Sequence, residues 1–323
     1  MRALSDSTLA RLQKVGDWPD LSATKYEVLD VLGVGGMATV YLGRDRELAR
    51  EVAIKVVGSP EASPDLAERL RQEARILARL EHPGLVPVHD LGTLPDGRLF
   101  YAMKLVRGRR LDEHVREMPS RAARLRVFER ICDAVAFAHA HGVIHRDLKP
   151  QNVMVGPFGE VLVLDWGVAK VLADPEAAAA PPIEPPARPA VDVDAATLTA
   201  AGTVLGTPGY MAPEQARGES AVGVAADVYA LGALLSFLAG DDPPRALAAM
   251  VARARAPRPA DRYPSVATLQ EDVSRFLSDL PVSAYAERPL EQARRLAGKY
   301  RTPLVLVLAY LVMRALLAVV ARV

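Results

Sequence analysis

The sequence predicts an α+β fold in two lobes, a β-rich first lobe carrying one helix and a mainly helical second lobe. Short β-type runs crowd its opening: Tyr26–Leu32, Thr39–Leu42 and Val52–Val57, separated by glycine-rich or charged turns, read as three antiparallel strands. Helical apolar periodicity dominates the second half, around Asp227–Ala239, Arg245–Ala254 and Val266–Leu280. A chain of 323 residues, 50% hydrophobic and 24% charged, is long enough for one large bilobal unit or two cores, which excludes global disorder and a disulfide-stapled miniprotein.

Taken in order, residues 1–25 form an N-terminal extension with one short amphipathic stretch, Leu9, Leu12 and Val15, and no apolar run of the kind a secretory signal needs. After the three strands, Pro64–Leu80 reads as a helix with Leu66, Leu70, Leu77 and Leu80 on one stripe, stopped by His82, Pro83 and Gly84. Leu85–Leu91 and Leu99–Val106 are expected to complete the same sheet. A long helix through Leu125, Phe128, Cys132, Val135 and His139 ends at Gly142, a residue suited to a helix C-terminus because it tolerates positive φ. Val153–Val155 and Val161–Leu164 follow as short strands.

Residues 174–196 hold six prolines and eight alanines in 23 positions, too few large apolar groups to pack, and read as a mobile insertion. At the other end, the basic run Arg294, Arg295, Lys299 and Arg301 in 281–302 precedes an apolar tail, 303–321. Its eleven Leu and Val, at about −0.3 to −0.6 kcal/mol each, outweigh Arg314 at about +2.5 to +3.5, so the tail is expected to be a membrane-spanning helix. A buried or dimer-forming helix is the alternative. The basic flank would keep the preceding domain in the cytoplasm, under the inner (cell) membrane.

Forty Lys plus Arg against 39 Asp plus Glu leave a net charge of +1, so no field favours nucleic acid, and none is expected as a partner. The single cysteine, Cys132, lies in an apolar helical pattern and reads as a small core residue in a reducing compartment.

Chemistry concentrates in three places. Leu32-Gly33-Val34-Gly35-Gly36-Met37-Ala38-Thr39-Val40 is a turn whose missing side chains let backbone N–H groups approach phosphate. The same letters fit a dinucleotide-binding turn, but that fold needs a helix directly after the glycines, and a β-branched run follows instead. Lys55 interrupts the apolar strand Val52–Val57, and Glu73 falls in the middle of the apolar stripe of the Pro64–Leu80 helix. An unpaired buried carboxylate costs several kcal/mol, so Glu73 needs a cation, and Lys55 is the obvious one. The third place is His145-Arg146-Asp147-Leu148-Lys149-Pro150-Gln151-Asn152, followed by Asp165-Trp166-Gly167. There Asp147 can accept a hydroxyl proton, Lys149 can neutralise a transferred phosphate, and Asn152 with Asp165 offers hard oxygen ligands suited to Mg²⁺.

In this order and spacing the motifs resemble those of bacterial serine/threonine protein kinases of the eukaryotic-like (Hanks) type, across about 26–280. The resemblance implies a bilobal kinase fold, with the first lobe at about 26–106, the second at about 107–280, and ATP and Mg²⁺ as cofactors. It implies that Leu32, Gly33, Gly35, Gly36, Val40, Ala53, Lys55, Glu73, Met103 and Leu105 form the ATP site. Met103 would be the gatekeeper and Lys104–Val106 the hinge. Asp147 would be the catalytic base, Lys149 a γ-phosphate contact, and Asn152 and Asp165 the metal ligands. Gly206–Glu214 resembles the substrate-binding end of an activation segment, Asp227 the acid that opens the central helix of the second lobe, and Arg262 the partner of Glu214. Arg146 would receive a phosphate on that segment, with Thr197, Thr199 and Thr203 as acceptors through trans-autophosphorylation in a self-associated pair. The implied partners are protein substrates, this chain among them, and the membrane.

Three departures stand out: Ala38 replaces the third glycine, Trp166 replaces the usual Phe, and the Asp227 to Arg262 interval is shorter than the family norm. The shortened interval bears on substrate docking and favours, if anything, a pseudokinase scaffold. The complete set of charged positions favours an active enzyme.

Overall fold

The computed structural model describes residues 18–35, 38–57, 64–166, 170–171, 209–219, 222–289, 291–292, 306–307 and 309–314. A five-stranded antiparallel sheet builds the first lobe: β1 (Tyr26–Val34), β2 (Ala38–Asp45), β3 (Arg50–Val57), β4 (Val88–Thr93) and β5 (Leu99–Lys104), in the order β1-β2-β3-β5-β4. Its two faces differ. One buries Tyr41, Val52, Ile54, Phe100 and Ala102 under the incoming segment of Trp18 and Leu21. The other packs Ala38, Val57, Leu99 and Tyr101 against Leu70 and Ala74 of α1 (Pro64–Arg79).

One expected strand moves. In place of Leu85–Leu91 the strand is Val88–Thr93, and Leu85 forms an isolated parallel bridge to Val163. The cause is local: Gly84 accepts from the Val163 N–H, and Pro87, which has no N–H to give a ladder, accepts from Lys104 N–H at 3.0 Å. Residues 84–87 therefore join the lobes and leave the sheet to begin later.

The second lobe opens with β6 (Arg109–Arg110) and α2 (Leu111–His114) and is organised around α3 (Arg121–Ala140). Ser120 caps α3 by accepting the Ala123 N–H at 3.1 Å. Leu125, Phe128, Ile131, Cys132 and Val135 of α3 are fully buried against α5 (Val224–Ala239) and α7 (Val266–Leu277), with Leu247 and Met250 of α6 (Arg245–Ala254) closing the same core. Burial raises the Cys132 thiol well above its ordinary pKa, so it packs as an apolar group. Short strands β7 (Val143–Ile144), β8 (Val153–Val155), β9 (Val161–Val163) and β10 (Lys170–Val171), with the single-turn α4 (Pro213–Ala216), frame the loops between these helices. Helix α7 stops at Leu277, three residues short of the expected Leu280, because Asp279 takes a positive φ of 53° and Leu280 N–H closes back onto the Arg275 carbonyl.

The expected membrane-crossing helix over 303–321 is not supported. Among the described residues no helix is long and apolar enough to cross a membrane, and helix is assigned only at 306–307 and 309–314 within that tail. The remainder of the tail, the Ala/Pro-rich stretch 174–196, and Thr197, Thr199, Thr203 and Thr207 lie outside the described residues.

Candidate active site

Between the lobes lies a cleft of about 970 Å³, large enough for a nucleotide-sized ligand. Its roof is the β1–β2 hairpin. Gly35 donates its N–H to the Ala38 carbonyl at 3.0 Å, and a Cβ there would stand 3.1 Å from that oxygen, so glycine suits this turn sterically. Leu32, Gly33 and Val40 line the same roof, and Gly36 lies outside the described residues. The back is apolar, formed by Ala53 from β3 and Met103 at the end of β5, and Leu105 follows once the β5 ladder has ended at Lys104.

Lys55 projects from β3 into this cleft, and the pattern of α1 brings Glu73 to meet it. Nζ of Lys55 lies 2.8 Å from Oε1 and 2.9 Å from Oε2 of Glu73. A buried carboxylate on the apolar face of α1 is tolerable only with such donors, which is why the stripe could carry a Glu at all. Asp165 Oδ1 stands 3.6 Å from the same ammonium, so the cation is shared by two carboxylates from different lobes.

The floor is the loop between β7 and β8. Asp147 Oδ2 accepts from Lys149 Nζ at 2.7 Å and from Asn152 Nδ2 at 3.1 Å, while Nδ2 also donates to the Asp147 carbonyl at 2.7 Å. This arrangement commits the Asn152 amide nitrogen and leaves its oxygen as the atom it can offer a cation. The Asp165 side chain is 54% exposed in the cleft. No group of three His, Cys, Asp or Glu that could hold a metal ion occurs among the described residues. The Asn152 amide oxygen and the exposed Asp165 carboxylate are hard oxygen donors, a pair that fits Mg²⁺ shared with ligand phosphates.

The loop is strained, and the strain is held from below. Arg146 and Asp165 take positive φ of 70° and 60°, values that cost of order 1–3 kcal/mol for residues with a Cβ. Asp227, at the start of α5, clamps the turn: it accepts the His145 and Arg146 backbone N–H groups at 2.8 Å each and His139 Nε2 at 2.8 Å. Burial alone would raise the Asp227 carboxyl, but the hydrogen bond and charge of His139, together with His145, outweigh it and hold the group below its ordinary value. Gln215 of α4 donates to the Arg146 carbonyl at 2.9 Å. His145 Nε2 contacts the Leu164 carbonyl at 2.9 Å, and its ring lies 4.5 Å from that of Trp166, whose indole N–H reaches the Val163 carbonyl at 3.3 Å. Trp166 is thus a buried wedge that ties the Asp165 turn to the Asp147 loop.

Farther down, Glu214 and Arg262 pair inside the second lobe with contacts of 2.6 and 2.8 Å. Burial opposes ionisation of Glu214, yet the Arg262 hydrogen bonds hold its carboxyl below the ordinary value.

The described residues expected to bind ATP or metal or to act in catalysis border one cleft: Leu32, Gly33, Gly35, Val40, Ala53, Lys55, Glu73, Met103, Leu105, Asp147, Lys149, Asn152 and Asp165; Arg146, Glu214, Asp227 and Arg262 lie outside its lining. Sequence reasoning missed the His139 and Gln215 contacts and the hydroxyl of Tyr101, which donates to Glu73 Oε1 at 3.0 Å. A strand apolar on both faces offered no signal that Tyr101 carries anything but packing.

The fold and this cleft define a bilobal protein kinase domain. The sequence profile of the protein kinase domain matches residues 26–291, and the chain belongs to that family. It is 33% identical over 307 residues to serine/threonine-protein kinase PknD of Chlamydia pneumoniae, covering 80% of this chain and 31% of that protein. It is 38% identical over 234 residues to serine/threonine-protein kinase PknB of Mycolicibacterium smegmatis, covering 70% of this chain and 34% of that one. The chain thus spans about a third of the length of these relatives. Among solved structures, the kinase domain of Mycobacterium tuberculosis PknI is similar with a TM-score of 0.55 at 26% identity, covering 78% of this chain and 96% of that one.

Proposed function

We propose that the chain is a protein serine/threonine kinase that moves the γ-phosphoryl group of ATP onto Ser or Thr hydroxyls of proteins, itself among them. The observation that carries this reading is the convergence of Lys55, Glu73 and Asp165 on one side of a single cleft with Asp147, Lys149 and Asn152 on the other.

ATP with Mg²⁺ supplies the phosphoryl group and the counter-charge. The chain's own residues supply position and proton traffic. Leu32, Val40, Ala53, Met103 and Leu105 give a flat ring an apolar slot, and Gly33, Gly35 and Gly36 let backbone reach phosphate. Lys55, oriented by Glu73, contacts the inner phosphates. Asn152 and Asp165 would hold the metal. Asp147 orients the acceptor hydroxyl and takes its proton, and Lys149 stabilises the charge that develops on the transferred group. Lys149 two residues after Asp147 supports Ser/Thr over Tyr as acceptor. A pseudokinase is disfavoured because none of the charged positions is replaced.

Arg146 supports a regulatory reading. Its Nε is buried without a hydrogen-bond partner among the described residues, a state that a phosphorylated Thr197, Thr199 or Thr203 would relieve. Such phosphorylation would pass between two copies of the chain. Residues 303–321 anchor the protein to the membrane in this reading, with the kinase domain on the cytoplasmic side; Leu306, Val307, Leu311 and Met313 are all more than half exposed, as an apolar segment awaiting lipid would be.

Incubating the purified chain with labelled ATP and Mg²⁺ and mapping phosphosites tests the whole reading. Label on Ser or Thr, including one of the three threonines, is expected, and an Asp147→Asn chain should carry none. Equal labelling of both would overturn it.

A further inference from the structure

We propose that Tyr101 is a positioning residue of this cleft, whose hydroxyl holds Glu73, and through it Lys55, in the arrangement that the kinase reading above rests on. In the β3–β5 ladder Lys55 stands directly opposite Tyr101, so both side chains leave the sheet on the face that α1 covers. They converge on one atom. Glu73 Oε1 accepts from Lys55 Nζ at 2.8 Å and from Tyr101 Oη at 3.0 Å. The Tyr101 residue is 1% exposed, and the ammonium of Lys55 lies 5.9 Å from its ring centroid.

The hydroxyl is a chemical addition and not a packing need. A phenylalanine would fill the same space among Ala38, Leu70, Ala74 and Leu99. A buried tyrosine hydroxyl requires a partner, and Glu73 is the one it has. Burial and the charge of Glu73 hold the phenol well above its ordinary pKa, so it remains a donor wherever the chain is folded.

What the extra donor does follows from the position of Lys55, which is pulled toward two carboxylates, Glu73 and, at 3.6 Å, Asp165. Whenever the ammonium shifts toward Asp165 or a phosphate, Glu73 becomes a buried carboxylate with a weakened partner. Tyr101 is neutral, rigid and anchored in the central sheet, so its bond to Glu73 persists, and α1 stays docked while the lysine moves.

The test uses the full-length chain as wild type, Tyr101→Phe, Glu73→Gln and the double variant. Two measurements are made on each: kcat/KM for ATP in transfer of label to the chain itself, and amide hydrogen exchange across 64–79 without nucleotide. Tyr101→Phe should lose about tenfold in kcat/KM, as removal of one hydrogen bond to a charged group implies. Exchange in the helix should quicken by a similar factor. In the Glu73→Gln background both effects should shrink to about threefold, because the amide oxygen that replaces the carboxylate still accepts from Tyr101 but carries no charge. Equal losses in both backgrounds would reduce Tyr101 to packing and overturn the proposal, as would an unaltered Tyr101→Phe chain. A wild-type chain that transfers no label would count against the kinase reading alone, since the exchange cycle still decides whether Tyr101 holds Glu73.

Discussion

Among the described residues, the Arg262–Glu214 pair of the second lobe and the Lys55–Glu73 pair of the first are built to opposite ends. In the second lobe Arg262 is sealed, its side chain wholly buried, and its guanidinium spends its donors on both oxygens of Glu214 and on the carbonyls of Ala225, Ala256 and Pro257. In the cleft Lys55 keeps 16% of its side chain exposed and is shared between Glu73 and Asp165. A planar fork with every donor committed cannot be re-aimed, whereas an ammonium on a flexible stem can exchange one acceptor for another. The first pair fixes the platform under the 213–216 turn; the second leaves a cation free to meet a ligand.

The largest effects should separate catalysis from stability. Asp147→Asn keeps the shape of the loop but removes the proton acceptor, so phosphotransfer should fall by about 10² to 10⁴, with unfolding little changed. Initial rates and a denaturant titration on the same preparation check both halves.

Next in size is the sealed pair. Arg262→Ala strands Glu214 without its cation in the core and should cost about 3–5 kcal/mol of stability. The urea midpoint would show it, and a midpoint close to wild type would mean that water reaches Glu214.

Lys55→Met should impair transfer by at least about 10² and Glu73→Gln by at least about tenfold, and the double variant should be little worse than the poorer single one, because the two act as a unit. Fully additive losses would contradict the 2.8 Å contact between them.

The smallest expected effect concerns pH. Asp227 and Glu214 are both held below their ordinary carboxyl values in the folded chain. Each therefore contributes stability that is complete above the ordinary carboxylate range and is lost as pH falls through the depressed folded value. Thermal midpoints should be level near neutrality and drop below about pH 4, and Asp227→Asn should flatten that drop.

Much of this is legible in the sequence. Glu73 announced itself by sitting in an apolar stripe, and Lys55 by interrupting an apolar strand, since charge out of place on a buried face demands a partner. The 145–152 and 165–167 segments were readable because their chemistry lies within short stretches of chain. What escaped depends on separation or on disguise. His139 and Gln215 reach their partners across 88 and 69 residues, and no local pattern encodes such a reach. Tyr101 hid because an aromatic in a buried strand reads as core, and its hydroxyl makes no mark on periodicity. The strand expected at Leu85 failed because a Pro-interrupted apolar run can join lobes as readily as extend a sheet.

One paired measurement separates the movable cation from the sealed one: label transfer from ATP and the urea midpoint, for Lys55→Met beside Arg262→Lys. Lys55→Met should lose transfer by at least about 10² while its stability drops by less than the roughly 3–5 kcal/mol expected on breaking a sealed buried pair, because Tyr101 still serves Glu73. Arg262→Lys should show the reverse, a large fall in stability with its folded fraction still transferring label. If Lys55→Met unfolds as readily as Arg262→Lys, or if it transfers label as wild type does, the cleft pair is a structural fastening and not a movable catalytic cation.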